Sequence, residues 1–186
     1  MSSTPGITEG AADDAVSIRP PAISDGTRLW EIARDTAVLD LNSTYAYTLW
    51  CADFTETSCV AERDGEVVGF ITGYIPPSRP DTIFIWQVAV DGTHRGLGIA
   101  GRMLNGLLDR LSPQGISRLE TTITPSNKAS DQLFRSVARA RYGTLSVADH
   151  FDSSDISPVP TRTGTNPSGS TRSPPSRPGR RSHRPS

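Results

Sequence analysis

Nine residues near the middle of the chain, Thr82-Ile83-Phe84-Ile85-Trp86-Gln87-Val88-Ala89-Val90, form a nearly unbroken apolar run. A membrane helix needs roughly 20 apolar residues, so this run is far too short to span a bilayer. Its β-branched and aromatic content reads instead as a strand buried on both faces. Such a strand demands cover on both sides, which means a sheet sandwiched between helices. Directly after it comes Asp91-Gly92-Thr93-His94-Arg95-Gly96-Leu97-Gly98, and then Met103, Leu104, Leu107, Leu108 and Leu111 at helical spacing. A strand, a glycine turn and an amphipathic helix therefore lie in series.

The flanking sequence extends this unit. Val16 to Arg19 is a short strand stopped by Pro20-Pro21. Ser24 or Asp25 can cap a helix whose inner face holds Leu29, Ile32 and Ala33. Ser43 opens a second helix with Tyr47, Trp50 and Phe54. Ser58 to Glu62 and Val67 to Ile75 form a hairpin about the turn Arg63-Asp64-Gly65-Glu66. Arg118 to Thr124 is a further strand, and Thr124-Pro125-Ser126-Asn127 starts a helix carrying Ala129, Leu133, Phe134 and Val137. The order β-α-α-β-β-β-α-β-α, without repeats, predicts an α+β fold: a mixed central sheet flanked by helices.

Charge divides the chain. Residues 156–186 hold six Arg and no acid, with seven Pro and seven Ser. Removing those six from the 19 basic residues leaves 13 against 20 acidic ones over residues 1–155. The tail lacks the apolar side chains that offset ordering entropy, so 156–186 is expected to be disordered, as are the small, polar residues 1–15. The folded unit is expected over 16–155. An arginine-rich tail is either a basic arm for nucleic acid or membrane, or a solvated chain end. The absence of aromatics to stack on bases weighs against nucleic acid as a partner, and no membrane partner is expected. The start of the chain has no basic end followed by an apolar stretch, so it does not read as a secretory leader. Cys51 and Cys59 are too few for a disulfide scaffold, and scattered His94, His150 and His183 offer no zinc spacing. A cytoplasmic protein without metal is expected.

The chemistry concentrates at Arg95-Gly96-Leu97-Gly98-Ile99-Ala100-Gly101. The glycines permit a tight turn and close approach of a ligand, and the helix start exposes unpaired N–H groups at the positive end of its dipole. Such a place binds phosphate, although a plain strand-to-helix turn would use the same glycines. It lacks the Lys-Ser/Thr pair of a P-loop and the three-glycine spacing of a dinucleotide fold.

Arg95-x-x-Gly98-x-Ala100 resembles the R/Q-x-x-G-x-G/A motif of the GNAT acyl-CoA N-acetyltransferases. The resemblance covers residues 84–138. It implies acetyl-CoA as cosubstrate, with its pyrophosphate on the backbone of Arg95, Gly96, Leu97, Gly98, Ala100 and Gly101. It implies a preceding strand that is bulged and splayed from its neighbour, with the backbone of Val88 and Val90 facing the acetyl group and pantetheine. Asn127 matches the second coenzyme-contacting segment. Many members place a Tyr in the following helix to protonate the leaving thiolate; this chain has Phe134 there.

Four segments resemble a narrower family, the L-2,4-diaminobutyrate acetyltransferases of ectoine synthesis: 39–47 (LDLNSTYAY), 68–74 (VGFITGY), 84–90 (FIWQVAV) and 119–127 (LETTITPSN). This likeness runs from about residue 16 to 155. It implies acetyl transfer to the 4-amino (γ) nitrogen of L-2,4-diaminobutyrate, giving Nγ-acetyl-L-2,4-diaminobutyrate.

An alkylammonium has a pKa near about 10, so exposing the neutral amine at pH 7 costs roughly 4–5 kcal/mol. The site must relieve that cost and donate an N–H to the carbonyl oxygen as it becomes negative. The Val88 amide is the candidate donor. Glu120, the one carboxylate of the strand Arg118 to Thr124, is the candidate base or base relay, against a solvent-facing or ion-paired Glu. Tyr45 and Tyr47 are alternative proton donors. Asp40, Asn42, Ser43 and Tyr45 are candidate substrate residues, Asp40 alternatively being a helix cap. Trp86 either walls the pocket, attracting an ammonium through its ring, or packs in the core.

The likeness stops near Asp155, where family members usually continue with a strand and an acidic, aromatic stretch. The abrupt change predicts that the coding frame shifts near residues 153–157 and that the tail is out-of-frame translation. Reading the locus in all three frames tests this, and no frame that restores an alternating strand refutes it. Other readings are a GNAT enzyme for protein N-termini, lysine or aminoglycosides, a CoA-binding remnant without turnover, and a DNA-binding protein driven by the tail. A homodimer is common in this fold.

Overall fold

The computed structural model describes residues 16–36 and 38–148, all within one compact unit. The N-terminal segment 1–15, the tail 156–186 and the proposed frame change near 153–157 lie outside the described residues. The elements are β1 (Ser17–Arg19), α1 (Gly26–Thr36), α2 (Thr44–Asp53), β2 (Cys59–Arg63), β3 (Glu66–Tyr74), β4 (Thr82–Val90), α3 (Ile99–Leu111), β5 (Arg118–Thr121) and α4 (Lys128–Ala140). Their order matches the order read from periodicity.

The sheet runs β1-β2-β3-β4-β5, antiparallel except for the parallel β4–β5 pair. Its two faces carry separate cores. Leu29, Ile32 and Ala33 of α1 and Tyr47 and Cys51 of α2 pack on Val60, Val67, Phe70 and Ala89. Ile99, Met103, Leu104, Leu107 and Leu111 of α3, with Phe134 and Val137 of α4, pack on Ala61, Val68, Ile71, Ile83 and Ile85. The i, i+3, i+4 spacing in α1 and α3 places these side chains on one stripe per helix. Burying each large aliphatic side chain contributes about 1.5–3 kcal/mol.

Two expectations are corrected. Neither Ser24 nor Asp25 is the N-cap of α1: a 3-10 turn, Ile23–Asp25, precedes the helix. Asp25 sits inside that turn and accepts the Ala22 N–H at 2.7 Å and two bonds from Arg19 at 2.7 and 3.1 Å. Burial opposes its charge, but these donors prevail and hold its carboxyl below the usual range. The second correction concerns β5, which ends at Thr121 rather than Thr124. There the Thr121 hydroxyl donates to the Ile85 carbonyl at 3.1 Å.

The remaining feature that shapes the site is a break in the β3–β4 register. Thr72 faces Gln87 and Gly73 faces Ile85, which leaves Trp86 as an extra residue on β4. Two consecutive side chains, Trp86 and Gln87, then turn toward the α1/α2 face, as a bulge requires. A bulge here needs close backbone approach, and a Cβ on Gly73 would lie 2.9 Å from the Thr57 carbonyl and 3.0 Å from the Phe84 carbonyl. The strand expected to be buried on both faces is thereby opened at one residue: Trp86 is 50 % exposed.

Candidate active site

The β4–β5 ladder pairs Thr82 with Arg118 through Ile85 with Thr121 and then stops. Residues 86–90 of β4 continue along β3 alone, so the two strands diverge from the bulge onward. The ladder's alternation identifies which amides face the opening. Asp91 N–H donates to the Val68 carbonyl at 2.8 Å, continuing the register Gly69–Val90, Phe70–Ala89, Ile71–Val88. Hydrogen-bonded pairs alternate with non-bonded ones in an antiparallel ladder. Counting from Asp91, Ala89 and Gln87 are bonded to β3, whereas the Val88 and Val90 backbone groups point away from it, into the gap. The Arg95 guanidinium takes one of these free groups, its Nε donating to the Val90 carbonyl at 3.4 Å.

At the end of β4 the chain enters the glycine loop. Gly96 and Gly98 have φ of +79° and +72°, the left-handed region that L side chains avoid. Gly98 is the N-cap of α3 and supplies no side-chain cap. The first-turn N–H groups at Ile99, Ala100 and Gly101 therefore remain available at the dipole's positive end, a fit for an anion. Ideal Cβ atoms on Gly96, Gly98 and Gly101 would meet nothing within 4 Å, so the backbone is open to a ligand. Arg95 and Leu97 are exposed.

Asp91 anchors the entrance to this loop. Its carboxylate accepts the Thr93 hydroxyl at 2.7 Å, the Thr93 N–H at 3.0 Å and Arg28 Nη2 at 2.7 Å. Arg28 Nε also donates to the Val67 carbonyl at 3.0 Å, tying α1 to the sheet. The two Thr93 bonds lower the Asp91 pKa to about 2; burial opposes them less strongly, and Arg28 adds a lesser lowering.

Beside the bulge, on the α1/α2 face, Asn42, Ala46, Tyr47, Trp50, Thr72, Trp86 and Gln87 line a cleft of about 200 Å³. Trp86 and Trp50 face one another with ring centroids 5.5 Å apart. Thr72 Oγ1 and Trp50 Nε1 are buried and have no hydrogen-bond partner among the described residues.

The expected site residues are distributed as follows. Asn42 and Trp86 line the cleft. Ser43 is the N-cap of α2, its hydroxyl accepting the Ala46 N–H at 3.2 Å. Asp40 lies outside the helix, exposed, its carboxylate in no hydrogen bond or ion pair among the described residues and its carbonyl accepting from Gln87. Tyr45 is 73 % exposed on the first turn of α2. Asn127 is the N-cap of α4 and accepts the Ser130 N–H at 3.1 Å. Glu120 lies in register with Phe84, on the cleft's face of the sheet but outside its lining. Its carboxylate takes Arg79 Nη2 at 3.0 Å, the ion-paired alternative. Tyr47 is buried, with its hydroxyl engaged by Gln87, and Phe134 is buried in the α3/α4 core. Among the described residues no cluster of three or more His, Cys, Asp or Glu could hold a metal, and no helix is long and apolar enough to cross a membrane.

Four cleft residues were not among the expected site residues: Ala46, Trp50, Thr72 and Gln87. For Gln87 the available signal was a lone amide in an otherwise apolar strand, TIFIWQVAV, which the register break turns into the cleft.

This strand–loop–helix geometry agrees with comparisons to known proteins. The sequence model of the Acetyltransferase (GNAT) family matches residues 26–138. An L-2,4-diaminobutyric acid acetyltransferase of Streptomyces coelicolor is 53 % identical over 145 residues, 76 % of this chain and 85 % of that protein. One from Nocardia farcinica is 50 % identical over 135 residues, covering 73 % and 70 %. Among solved structures, diaminobutyrate acetyltransferase EctA from Paenibacillus lautus, in complex with its substrate L-2,4-diaminobutyric acid and coenzyme A, superposes with a TM-score of 0.66 at 46 % identity, covering 69 % of this chain and 77 % of that one. With its splayed β4, its uncapped α3 start and these relatives, the chain belongs to the GNAT acetyltransferase family, within the L-2,4-diaminobutyric acid acetyltransferases.

Proposed function

We propose that this chain transfers the acetyl group of acetyl-CoA to the 4-amino nitrogen of L-2,4-diaminobutyrate, giving Nγ-acetyl-L-2,4-diaminobutyrate for ectoine synthesis. The observation that carries the reading is the bulge at Trp86. At it the β5 ladder ends, so the Val88 amide beyond faces a gap, and a cleft opens on the neighbouring face of the same strand.

Each component then has a task. The first-turn amides of α3 and the Arg95–Gly101 backbone hold the pyrophosphate. The Val88 N–H and Val90 carbonyl in the gap hold the acetyl end and pantetheine, and the Val88 N–H donates to the oxygen that turns anionic in the transition state. Asn127, at the start of α4, contacts the coenzyme from the opposite side of the gap.

The amine enters from the cleft. Trp86 offers its ring face to an ammonium and Asp40 offers a carboxylate with no protein partner among the described residues. Asn42, Ser43 and Tyr45 line the approach along the start of α2. Lone-pair attack forms the C–N bond, the C–S bond breaks and the thiolate leaves. With Phe134 buried and Tyr47 engaged, a thiolate of pKa about 8.5 leaves without a side-chain acid. The amine proton passes by water to a carboxylate. Glu120 is the candidate from β5, reached if Arg79 yields it, and Asp40 the candidate from α2.

Release of CoA with diaminobutyrate, ornithine, lysine and a peptide tests the substrate. A preference for diaminobutyrate is expected; equal rates, or turnover of the peptide alone, exclude it. Glu120→Gln and Asp40→Asn decide the proton acceptor: the variant that loses the alkaline-rising limb of kcat/KM identifies it. The ligands are small molecules, the expected compartment is the cytoplasm, and a homodimer is the assembly that sedimentation would test.

A further inference from the structure

Gln87 has an unusual position. It sits on β4 between the bulged Trp86 and Val88, and its side chain is 5 % exposed. A buried amide is costly unless its donors and acceptor are satisfied. Here Nε2 donates to the Asp40 carbonyl at 2.9 Å and Oε1 accepts from the Tyr47 hydroxyl at 3.0 Å. The Asp40 carbonyl can only accept, which determines the amide's orientation. Gln87 thus bridges from the central strand to the segment before α2 at one atom and to α2 itself at the other.

That segment needs such an anchor. Residues 38–43 form no regular element, and Val38, Asp40, Leu41, Asn42 and Ser43 are exposed. No other side chain from the sheet holds this segment through a hydrogen bond among the described residues. Yet it carries the proposed amine-recognition groups, whereas β4 carries the acyl end. The distance between them sets the length of amine that spans from Asp40 to the thioester.

Resting on the proposed reaction, we propose that Gln87 is a positioning residue that sets this distance and so selects the chain length of the diamino acid. It lines the cleft, and it acts through Asp40 and Tyr47, which its amide holds.

The test compares wild type with Gln87→Leu and Gln87→Glu. Leucine retains bulk but removes both bonds. Ionised glutamate still accepts from Tyr47 but cannot donate to the Asp40 carbonyl, whereas protonated glutamate can do both. The assay series is 2,3-diaminopropionate, 2,4-diaminobutyrate and ornithine, which differ by one methylene each. For Gln87→Leu the KM for diaminobutyrate rises about tenfold and its preference over ornithine falls about tenfold, while calorimetric CoA affinity stays within about twofold. For Gln87→Glu, activity relative to wild type rises as pH falls. A Gln87→Leu variant with a lower Tm but unaltered selectivity overturns the proposal. If that variant does not fold, Gln87→Glu decides alone, and a pH-independent ratio to wild type overturns it.

Hydrogen exchange separates this idea from the reaction it rests on. Faster exchange in Gln87→Glu confined to residues 38–47, with α3 unchanged, supports the anchor even if wild type acetylates no diamine; unchanged exchange overturns it. Wild type inactive on every diamine overturns the reaction assignment instead.

Discussion

Asp91→Asn tests how the glycine loop after β4 is held. The carboxylate accepts from the Thr93 hydroxyl at 2.7 Å, the Thr93 N–H at 3.0 Å and Arg28 at 2.7 Å. Asparagine has nearly the same shape and keeps one acceptor oxygen, so Thr93 retains a partner while Arg28 loses the nearer of its two carboxylates and keeps Glu31 at 3.3 Å. The Asp91 pKa near 2 lies below the value of about 3.9 in an unfolded chain. A depressed folded pKa contributes stability that is present above pH 4 and is lost as pH falls toward 2. Unscreened, that shift corresponds to about 2.5 kcal/mol. The side chain is 21 % exposed and its partner 33 %, so solvent screening reduces the contribution to about 1–1.5 kcal/mol. The variant should therefore unfold about 3–6 °C lower at pH 7. Urea titrations at pH 7, 5, 4 and 3 should show the gap between wild type and variant narrowing below pH 4. CoA affinity at pH 7 should fall too, because the turn leading to Arg95 loses its tie to α1. A gap that persists unchanged at pH 3, or a variant as stable as wild type at pH 7, refutes the reasoning.

Other perturbations address single elements. Gly98→Ala must adopt φ +72° with a side chain, at about 1–2 kcal/mol, and should lower both Tm and CoA affinity. Gly92→Ala, whose added Cβ also meets nothing within 4 Å but whose φ is not positive, should do neither; equal effects would show that strain is not the cause. Thr72→Val removes a buried hydroxyl with no described partner and should leave the free protein equally stable or up to about 1 kcal/mol more so by denaturant titration. A clear loss of stability would contradict that assignment. Burial pushes the Cys59 thiol up to about 12 and Cys51 up to about 11, so iodoacetamide at pH 8 should label both only after unfolding; rapid labelling of native protein would show that these sulfurs are accessible.

The order of elements was legible because hydrophobic spacing is local: Leu29, Ile32 and Ala33, or Met103, Leu104, Leu107 and Leu111, reveal a helical stripe without knowing its neighbours. The loop at Arg95–Gly101 was legible for the same reason, since its glycines answer to backbone angles set within a few residues. The bulge was foreseeable through family likeness alone; nothing in the spacing of TIFIWQVAV marks which residue is extra. The start of α1 was misread because Asp25 has a typical capping side chain, and only the fold shows Arg19 and Ala22 claiming it from inside the turn.

What the amino-acid order determined by itself is therefore the framework: which segments are strands, which helices, and where a glycine turn exposes the first amides of a helix. The tertiary structure decided how side chains were partnered. Glu120 lies 41 positions from Arg79, and Gln87 lies 40 from Tyr47 and 47 from Asp40. Such contacts depend on register and on the β3–β4 break that aims Gln87 at α2. Short-range periodicity carries no record of either, because a one-residue offset in pairing sends the same side chain to the opposite face.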